Sequence, residues 1–149
     1  MGINVKLAES EGEPGGGTAN CQTWASKQSL LPQHLNWATI PRERVSEGIE
    51  RQLVVGDRIM LCRFRFAPSL VTPEHRHPHE QMTIVVQGRV RFFVEGAERI
   101  ASPGDVLHFP ANCLHGATMM DEEVILVDIF SPPREDFLKP GPAVSLPAS

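Results

Sequence analysis

HRHPHEQMTIVVQG, residues 75–88, is the most informative stretch of this 149-residue chain. Its second half is a run of apolar and β-branched residues that ends at Gly88, which is typical of a β-strand followed by a turn. Its first half places His75 and His77 one residue apart. On an extended strand both imidazoles project from one face, with backbones about 7 Å apart, and two such rings can converge on one ion.

Two further residues are candidates for the same metal site. Gln81 lies four positions after His77 with the same parity, and a bend at Pro78 can bring its amide oxygen to the same point. His115 lies in the stretch PGDVLHFPANCLHG, residues 103–116, where PANC indicates a turn that returns the chain to the core. The predicted ligands are three imidazoles and one amide oxygen: His75, His77, Gln81 and His115.

This ligand set suits one divalent transition metal, Zn, Ni, Mn, Fe or Cu, and contains no thiolate that would narrow the choice. A single histidine in a strand is more often a hydrogen-bonded core or surface residue, but HxHxxxQ followed by PxxxxH is a more specific pattern. His79 shares the parity of the ligands and is expected to line the pocket or to support a ligand. No metal role is expected for His34 or His108.

Short runs rich in Val, Ile, Phe and Leu continue the strand pattern from about Trp37 to Phe130. The strongest runs are residues 59–66, 81–88, 88–96, 105–110 and 123–130. Any single run could be a short buried helix, but five in succession indicate an all-β fold.

Alternation along these runs predicts which faces are buried. In 88–96, Val90, Phe92 and Val94 share one side, as in a half-buried strand. In 81–88 and 123–130 both sides are largely apolar, so we expect cover on both faces, from a second sheet or from another subunit. A homodimer is therefore expected.

Composition excludes several classes of function. The 149 residues fit one globular domain, and 18 acidic against 14 basic residues give a net charge of −4, with the basic residues dispersed, which argues against nucleic acid as a partner. No apolar run approaches the roughly 18 residues of a membrane span, and the N-terminus lacks a signal-peptide pattern, so no membrane partner and a cytoplasmic location are expected. Cys21, Cys62 and Cys113 are an odd number without a CxxC pair, which favours reduced thiols.

The chain divides into three parts. Residues 1–36 form a polar, Gly-containing extension that is expected to be partly flexible, 37–138 form the domain, and 139–149 form a Pro-rich tail. Within the domain, residues 131–138 (SPPREDFL) are expected to form a short helix opened by Ser131.

An acidic residue on the last strand requires explanation. In EVILVDIF, residues 123–130, Asp128 shares a face with Val124, Leu126 and Phe130, which predicts that its carboxylate points inward. A buried carboxylate is either paired, most simply with Arg134, or serves as a general acid or base facing the metal pocket. The residues alone favour neither reading.

Both histidine-containing stretches resemble the two motifs of the cupin family. In the first motif HxH is followed by a Glu or Gln ligand and then, seven positions later, by a glycine, here Gly88. The resemblance implies a jelly-roll β-barrel of two antiparallel sheets. Two positions depart from the usual pattern: Gln81 replaces an acidic ligand, and Met119 replaces an asparagine often found four residues after the second-motif histidine. Without the acidic ligand, the bound metal should retain more Lewis acidity.

The ending DIFSPPREDFL, residues 128–138, resembles the DxFSPxREDF ending of the pectin-degradation cupins, the KdgF family, and the similarity extends over about residues 45–138. That family converts 4,5-unsaturated monouronates into linear keto forms. The resemblance implies that Asp128 transfers a proton, Phe130 forms a pocket wall and Arg134 binds the sugar carboxylate. It therefore predicts a metal-dependent isomerase or tautomerase acting on a small anionic sugar acid.

Two other functions remain open. The same ligands with a redox-active metal could serve a dioxygenase acting on a diketone or flavonol-like substrate, which would consume oxygen. A cupin that binds a small molecule without turnover is the second alternative. A transcription factor is not expected, because the N-terminal segment carries no DNA-binding pattern.

Overall fold

The protein is described by a computed structural model covering residues 32–139. Most of the predicted N-terminal extension, Cys21 and nearly all of the predicted tail lie outside the described residues, so the predicted domain boundaries stay predictions. The ten strands and one helix of the described range are β1 (Glu43–Ser46), β2 (Ile49–Val55), β3 (Met60–Phe66), β4 (Val71–His75), β5 (Glu80–Gln87), β6 (Val90–Val94), β7 (Ala97–Ala101), β8 (Val106–Phe109), β9 (His115–Met119), β10 (Val124–Ser131) and α1 (Glu135–Leu138).

The strands form two antiparallel sheets. The larger has six strands in the order β1-β2-β3-β10-β5-β8, and the smaller has four in the order β4-β9-β6-β7. Every pairing in both sheets is antiparallel. The predicted all-β architecture of two antiparallel sheets is confirmed, and each of the five predicted strand runs overlaps a strand, to within one or two residues at the N-terminal end.

The inward side chains of the two sheets form the core. Val90 and Phe92 are buried and Val94 packs against them, as the alternation in β6 predicts. The inward face of β10 holds Val124, Leu126, Asp128 and Phe130, so the carboxylate shares the face of the core residues. A smaller cluster of buried residues, Met60, Cys62 and Phe130, packs against Phe137 of α1.

The outward side chains of β5 are not covered by other residues of the described range, 32–139. Met82 is 44% exposed and Val86 is 48% exposed, whereas the inward Thr83 and Val85 are buried. The second sheet covers the inward face of β5. The predicted homodimer stays a prediction.

At two glycines the neighbouring backbone leaves no room for a side chain. Gly88 has a φ of +76°, and a Cβ there would lie 2.5 Å from the carbonyl oxygen of Glu123, so only glycine fits this turn. At Gly116 a Cβ would lie 2.9 Å from the backbone nitrogen of Glu74. The missing side chain allows β9 to lie close against β4.

The C-terminal helix begins later than predicted. Ser131 is the last residue of β10, and its hydroxyl donates a hydrogen bond to the carbonyl oxygen of Arg58 at 3.0 Å instead of opening a helix. The helix runs from Glu135 to Leu138 with Arg134 at its N-cap. Within residues 32–139 no helix has the length and hydropathy that crossing a membrane requires.

Both cysteines in the described range are free and buried. Burial raises the pKa of the Cys62 thiol and of the Cys113 thiol, which keeps both protonated at neutral pH. For these two residues the predicted reduced state agrees with the structure.

Candidate metal centre and adjoining cavity

Three histidines from different parts of the fold meet at one end of the barrel. His75 is the last residue of β4, His115 is the first residue of β9, and the antiparallel register places these two opposite each other. His77 follows in the link between β4 and β5, not on the extended strand that the sequence predicts. One ring nitrogen from each of the three lies within 4.8 Å of the others, so together they could hold a metal ion.

Backbone carbonyls orient two of these rings. Nδ1 of His75 lies 2.9 Å from the carbonyl oxygen of Pro73, and Nδ1 of His115 lies 2.9 Å from that of Cys113. A carbonyl only accepts hydrogen bonds, so Nδ1 carries the proton in both rings. The lone pair of each Nε2 is left for a metal, which is how metal-binding histidines are commonly held.

The third ring faces an amide. Nε2 of His77 lies 3.1 Å from Oε1 of Gln81, and Nδ1 of His77 is buried with no hydrogen-bond partner among residues 32–139. Burial, the nearby charge of Arg134 and the other histidines lower the pKa of His77 to about 4. Burial also lowers the pKa of His115. Both rings are neutral at physiological pH, the form that binds metals.

These four side chains fit a transition metal. Two ligands that each lie about 2.1 Å from one ion at right angles are about 3 Å apart, which matches the 3.1 Å between His77 and Gln81. Neutral imidazoles with one amide oxygen suit Zn, Ni, Mn, Fe or Cu. Because no ligand in this set is charged, the ion would keep its full double charge and act as a strong Lewis acid.

A cavity of about 200 Å³ adjoins the histidines. Its walls are largely aromatic and aliphatic, with a smaller number of polar side chains. The cavity-lining residues that the sequence singles out are His75, Gln81, His115, Asp128, Phe130 and Arg134. Residues of both histidine-containing motifs and of β10 therefore line the same cavity.

Asp128 is held in this cavity by a hydroxyl. The residue is 7% exposed, and Oγ1 of Thr83 donates a hydrogen bond to Oδ1 of its carboxylate at 2.6 Å. Burial raises the pKa of Asp128 to about 6, against the opposing effects of hydrogen bonds from Thr83 and Gln81 and of the Arg134 charge. A carboxyl with such a pKa exchanges protons readily near neutral pH.

Arg134 is not the salt-bridge partner of Asp128. Its Nε and Nη2 pair with Asp136 at 3.0 and 2.6 Å, and its guanidinium lies 4.3 Å from the ring centroid of Phe137 and 5.3 Å from that of Phe130. Asp128 has no ion pair within the described residues. Nη1 of Arg134 has no hydrogen bond within the described residues either. The Nε and Nη2 edge of the guanidinium is therefore held by Asp136, and Nη1 is free to bind a ligand.

The other histidines lie apart from the cavity. His79 is buried but does not line it, and its Nε2 lies 3.8 Å from Oε2 of Glu135. His108 is exposed, with Nε2 2.8 Å from Oε1 of Glu80. Neither contributes to the group of three that meets at the candidate metal centre.

Two residues at the site were not among the sequence candidates. Thr83 and Phe137 both line the cavity. Strand alternation carries a signal for the first, because Thr83 is a polar residue on the buried face that it shares with Gln81 and Val85. Phe137 reaches the cavity through the position of α1, for which local sequence gives no signal.

The sequence is similar to that of a known protein family. Residues 62–130 match the family described as Cupin domain. The pectin degradation protein KdgF of Dickeya dadantii (strain 3937) is 34% identical over 100 residues, which cover 66% of this chain and 91% of that protein.

Two solved structures are similar over most of the described range. KdgF from Halomonas sp. has a TM-score of 0.69 and 29% identity, over 72% of this chain and 99% of that chain. An RmlC-like cupin from Shewanella frigidimarina NCIMB 400 has a TM-score of 0.66 and 30% identity, over 71% of this chain and 96% of that one.

Proposed function

This chain belongs to the cupin superfamily and, within it, to the KdgF family, and on that premise we propose that it is a metal-dependent isomerase of pectin breakdown. The proposed reaction opens the ring of a 4,5-unsaturated uronate to a linear keto acid. One observation carries the proposal: His75 and His115 of the histidine cluster border the same small cavity as Asp128 and Arg134.

The size of the cavity supports a small substrate. Sites for drug-sized ligands are about 300–1,000 Å³, and the volume here is about 200 Å³. A single sugar ring is compatible with this space. The free Nη1 of Arg134 offers a positive donor for the sugar carboxylate, while Asp136 and the rings of Phe130 and Phe137 hold the rest of the guanidinium in place.

Proton transfer is assigned to Asp128. Ring opening to the keto acid moves one proton from the anomeric hydroxyl to carbon 4 and consumes no oxidant. The carboxylate of Asp128 can accept the first proton and deliver one to carbon, since its pKa of about 6 is near neutrality. A divalent metal held by His75, His77, Gln81 and His115 would supply polarisation of a substrate oxygen.

The test is an anaerobic assay by absorbance and NMR with unsaturated galacturonate and guluronate monomers. Metal-loaded protein should remove the enol absorbance and form the linear keto acid, and metal-stripped protein should not. Asp128→Asn should abolish turnover without loss of metal, with Asp121→Asn, an exposed carboxylate, as the matched control. Full activity of Asp128→Asn would show that the assigned role is wrong.

An aerobic assay with a diketone and a uronate-binding measurement, run beside the anaerobic assay, separate the alternative functions. Oxygen uptake on a diketone by the metal-loaded protein would favour a dioxygenase. Saturable uronate binding without any product would favour a non-catalytic binding protein.

A further inference from the structure

The side chain of Thr83 connects the histidine cluster with Asp128. Thr83 is wholly buried, with Oγ1 2.6 Å from Oδ1 of Asp128 and 2.9 Å from Nε2 of Gln81. Oε1 of Gln81 in turn lies 3.1 Å from Nε2 of His77. Two hydrogen bonds and the contact between Gln81 and His77 therefore form a continuous line from the candidate metal centre to the candidate proton-transfer group.

The chemistry of the groups fixes the direction of this line. An ionised carboxylate only accepts hydrogen bonds, so the single hydroxyl proton of Thr83 is donated to Asp128. The hydroxyl oxygen can then only accept from Gln81, which requires the NH₂ group of the amide on that side. The amide oxygen of Gln81 is consequently turned toward His77.

We propose that Thr83 is a positioning residue that fixes the Gln81 amide with its oxygen toward the metal. The inference rests on the metal site proposed above. An amide has only one atom suited to a divalent metal, because its NH₂ group donates hydrogen bonds and its oxygen has the available lone pairs. A glutamate would need no such control, since both of its oxygens can bind. The neutral ligand at this position thus creates the need for Thr83.

The primary test measures Zn²⁺ binding to the full chain by calorimetry. Thr83→Val keeps the shape of the side chain and removes the hydroxyl, and we expect it to raise the Kd by about 10- to 100-fold, as loss of a group that orients a metal ligand commonly does. Thr83→Ser keeps the hydroxyl and should bind close to wild type. Wild-type affinity in Thr83→Val would overturn the inference, and so would equal weakening in Thr83→Ser.

A double-mutant cycle separates orientation from general disturbance. With Gln81→Glu already present, adding Thr83→Val should leave the Kd for Zn²⁺ nearly unchanged, because either carboxylate oxygen can serve. Equal weakening in both backgrounds would mean that Thr83 only supports the fold. If the wild-type protein bound no Zn²⁺, the proposed metal site would fail and this role with it.

A measurement on the wild-type protein covers the case in which Thr83→Val does not fold. The side-chain NH₂ protons of Gln81, assigned by their loss in Gln81→Glu, should exchange slowly with solvent both before and after Zn²⁺ addition. Rapid exchange in the Zn²⁺-bound protein would contradict the proposed orientation.

Discussion

His75 and His115 lie opposite each other on β4 and β9, with their ring centroids 4.5 Å apart. They are forty positions apart along the chain, so the antiparallel pairing of the two strands brings the first histidine motif to the second. The distance between these strands is set at Gly116, next to His115, where the backbone of Glu74 occupies the space that a side chain would need. The candidate metal site therefore depends on a strand contact as well as on the histidines themselves.

Substitution at Gly116 should weaken metal binding without removing a ligand. Gly116→Ala places a Cβ 2.9 Å from the backbone nitrogen of Glu74 and should force β9 away from β4. Such overpacking typically costs about 1–3 kcal/mol of unfolding free energy. Chemical denaturation and Zn²⁺ titration should both show a loss. Gly96→Asn is the matched control, because the turn at Gly96 has open space and Asn tolerates a positive φ. Equal losses of stability and Zn²⁺ affinity in the two variants would exclude this role of Gly116.

Removal of the Asp128 charge should stabilise the metal-free protein at neutral pH. The folded-state pKa of about 6 exceeds the usual 3.8, so between these values the folded state holds more protons, and ionisation at higher pH opposes folding. About two pKa units correspond to at most about 3 kcal/mol. Asp128→Asn should therefore be more stable than wild type by about 1–3 kcal/mol at pH 8.

The pH dependence of that difference provides the check. The advantage of Asp128→Asn should shrink as pH falls through about 6 and disappear near pH 4, because the wild-type carboxyl is then protonated. The lowered pKa values of His77 and His115 destabilise both proteins as pH falls, so that effect cancels in the difference. Guanidinium denaturation at pH 8, 6 and 4 measures the difference in unfolding free energy between Asp128→Asn and wild type. A difference that stays constant with pH would contradict the raised pKa of Asp128.

The strands that sequence patterns predict are those whose own residues carry a strong signal. Five others were missed. β4 contains Pro73, β7 is almost entirely exposed, and β9 is built around Gly116 and small neighbours, so their local preference for a strand is weak. These strands exist because neighbouring strands supply their hydrogen bonds, a nonlocal effect that a short window of sequence does not record.

The composition of the site was more predictable than its connections. The alternation of side chains along β10 predicts that the carboxylate of Asp128 points inward. The spacing of the two histidine motifs predicts that His115 joins the other candidate metal ligands. The partner of Arg134 was not predictable, because it depends on how the chain turns between Ser131 and α1. That turn brings Asp136 to Arg134, and Asp128 is left with Thr83.

Metal binding should stabilise the fold through His115. A ligand that binds only the folded state adds about 2.7 kcal/mol of unfolding free energy at a concentration of 100 times its Kd. Zn²⁺ should raise the Tm of the wild-type protein, and His115→Ala should abolish the increase. His108→Ala should keep it, because that exposed ring pairs with Glu80 outside the cluster. An unchanged increase in His115→Ala would exclude His115 as a ligand.

Arg134 should control substrate affinity and not metal affinity. Its Nη1 is the free donor of a guanidinium whose other edge is fixed by Asp136, so Arg134→Ala removes the proposed partner of the sugar carboxylate. Loss of a buried charge partner costs about 2–5 kcal/mol, so kcat/KM for the unsaturated uronate should fall by about 30-fold or more. Zn²⁺ affinity should stay near wild type. Arg58→Ala, at a side chain 93% exposed, is the matched control and should retain full activity.

Asp136→Asn gives an intermediate test, since it loosens the guanidinium but leaves its charge, and we expect KM to rise less than in Arg134→Ala. Steady-state kinetics with both uronates measure these effects, and unchanged kcat/KM in Arg134→Ala would move carboxylate recognition to another residue.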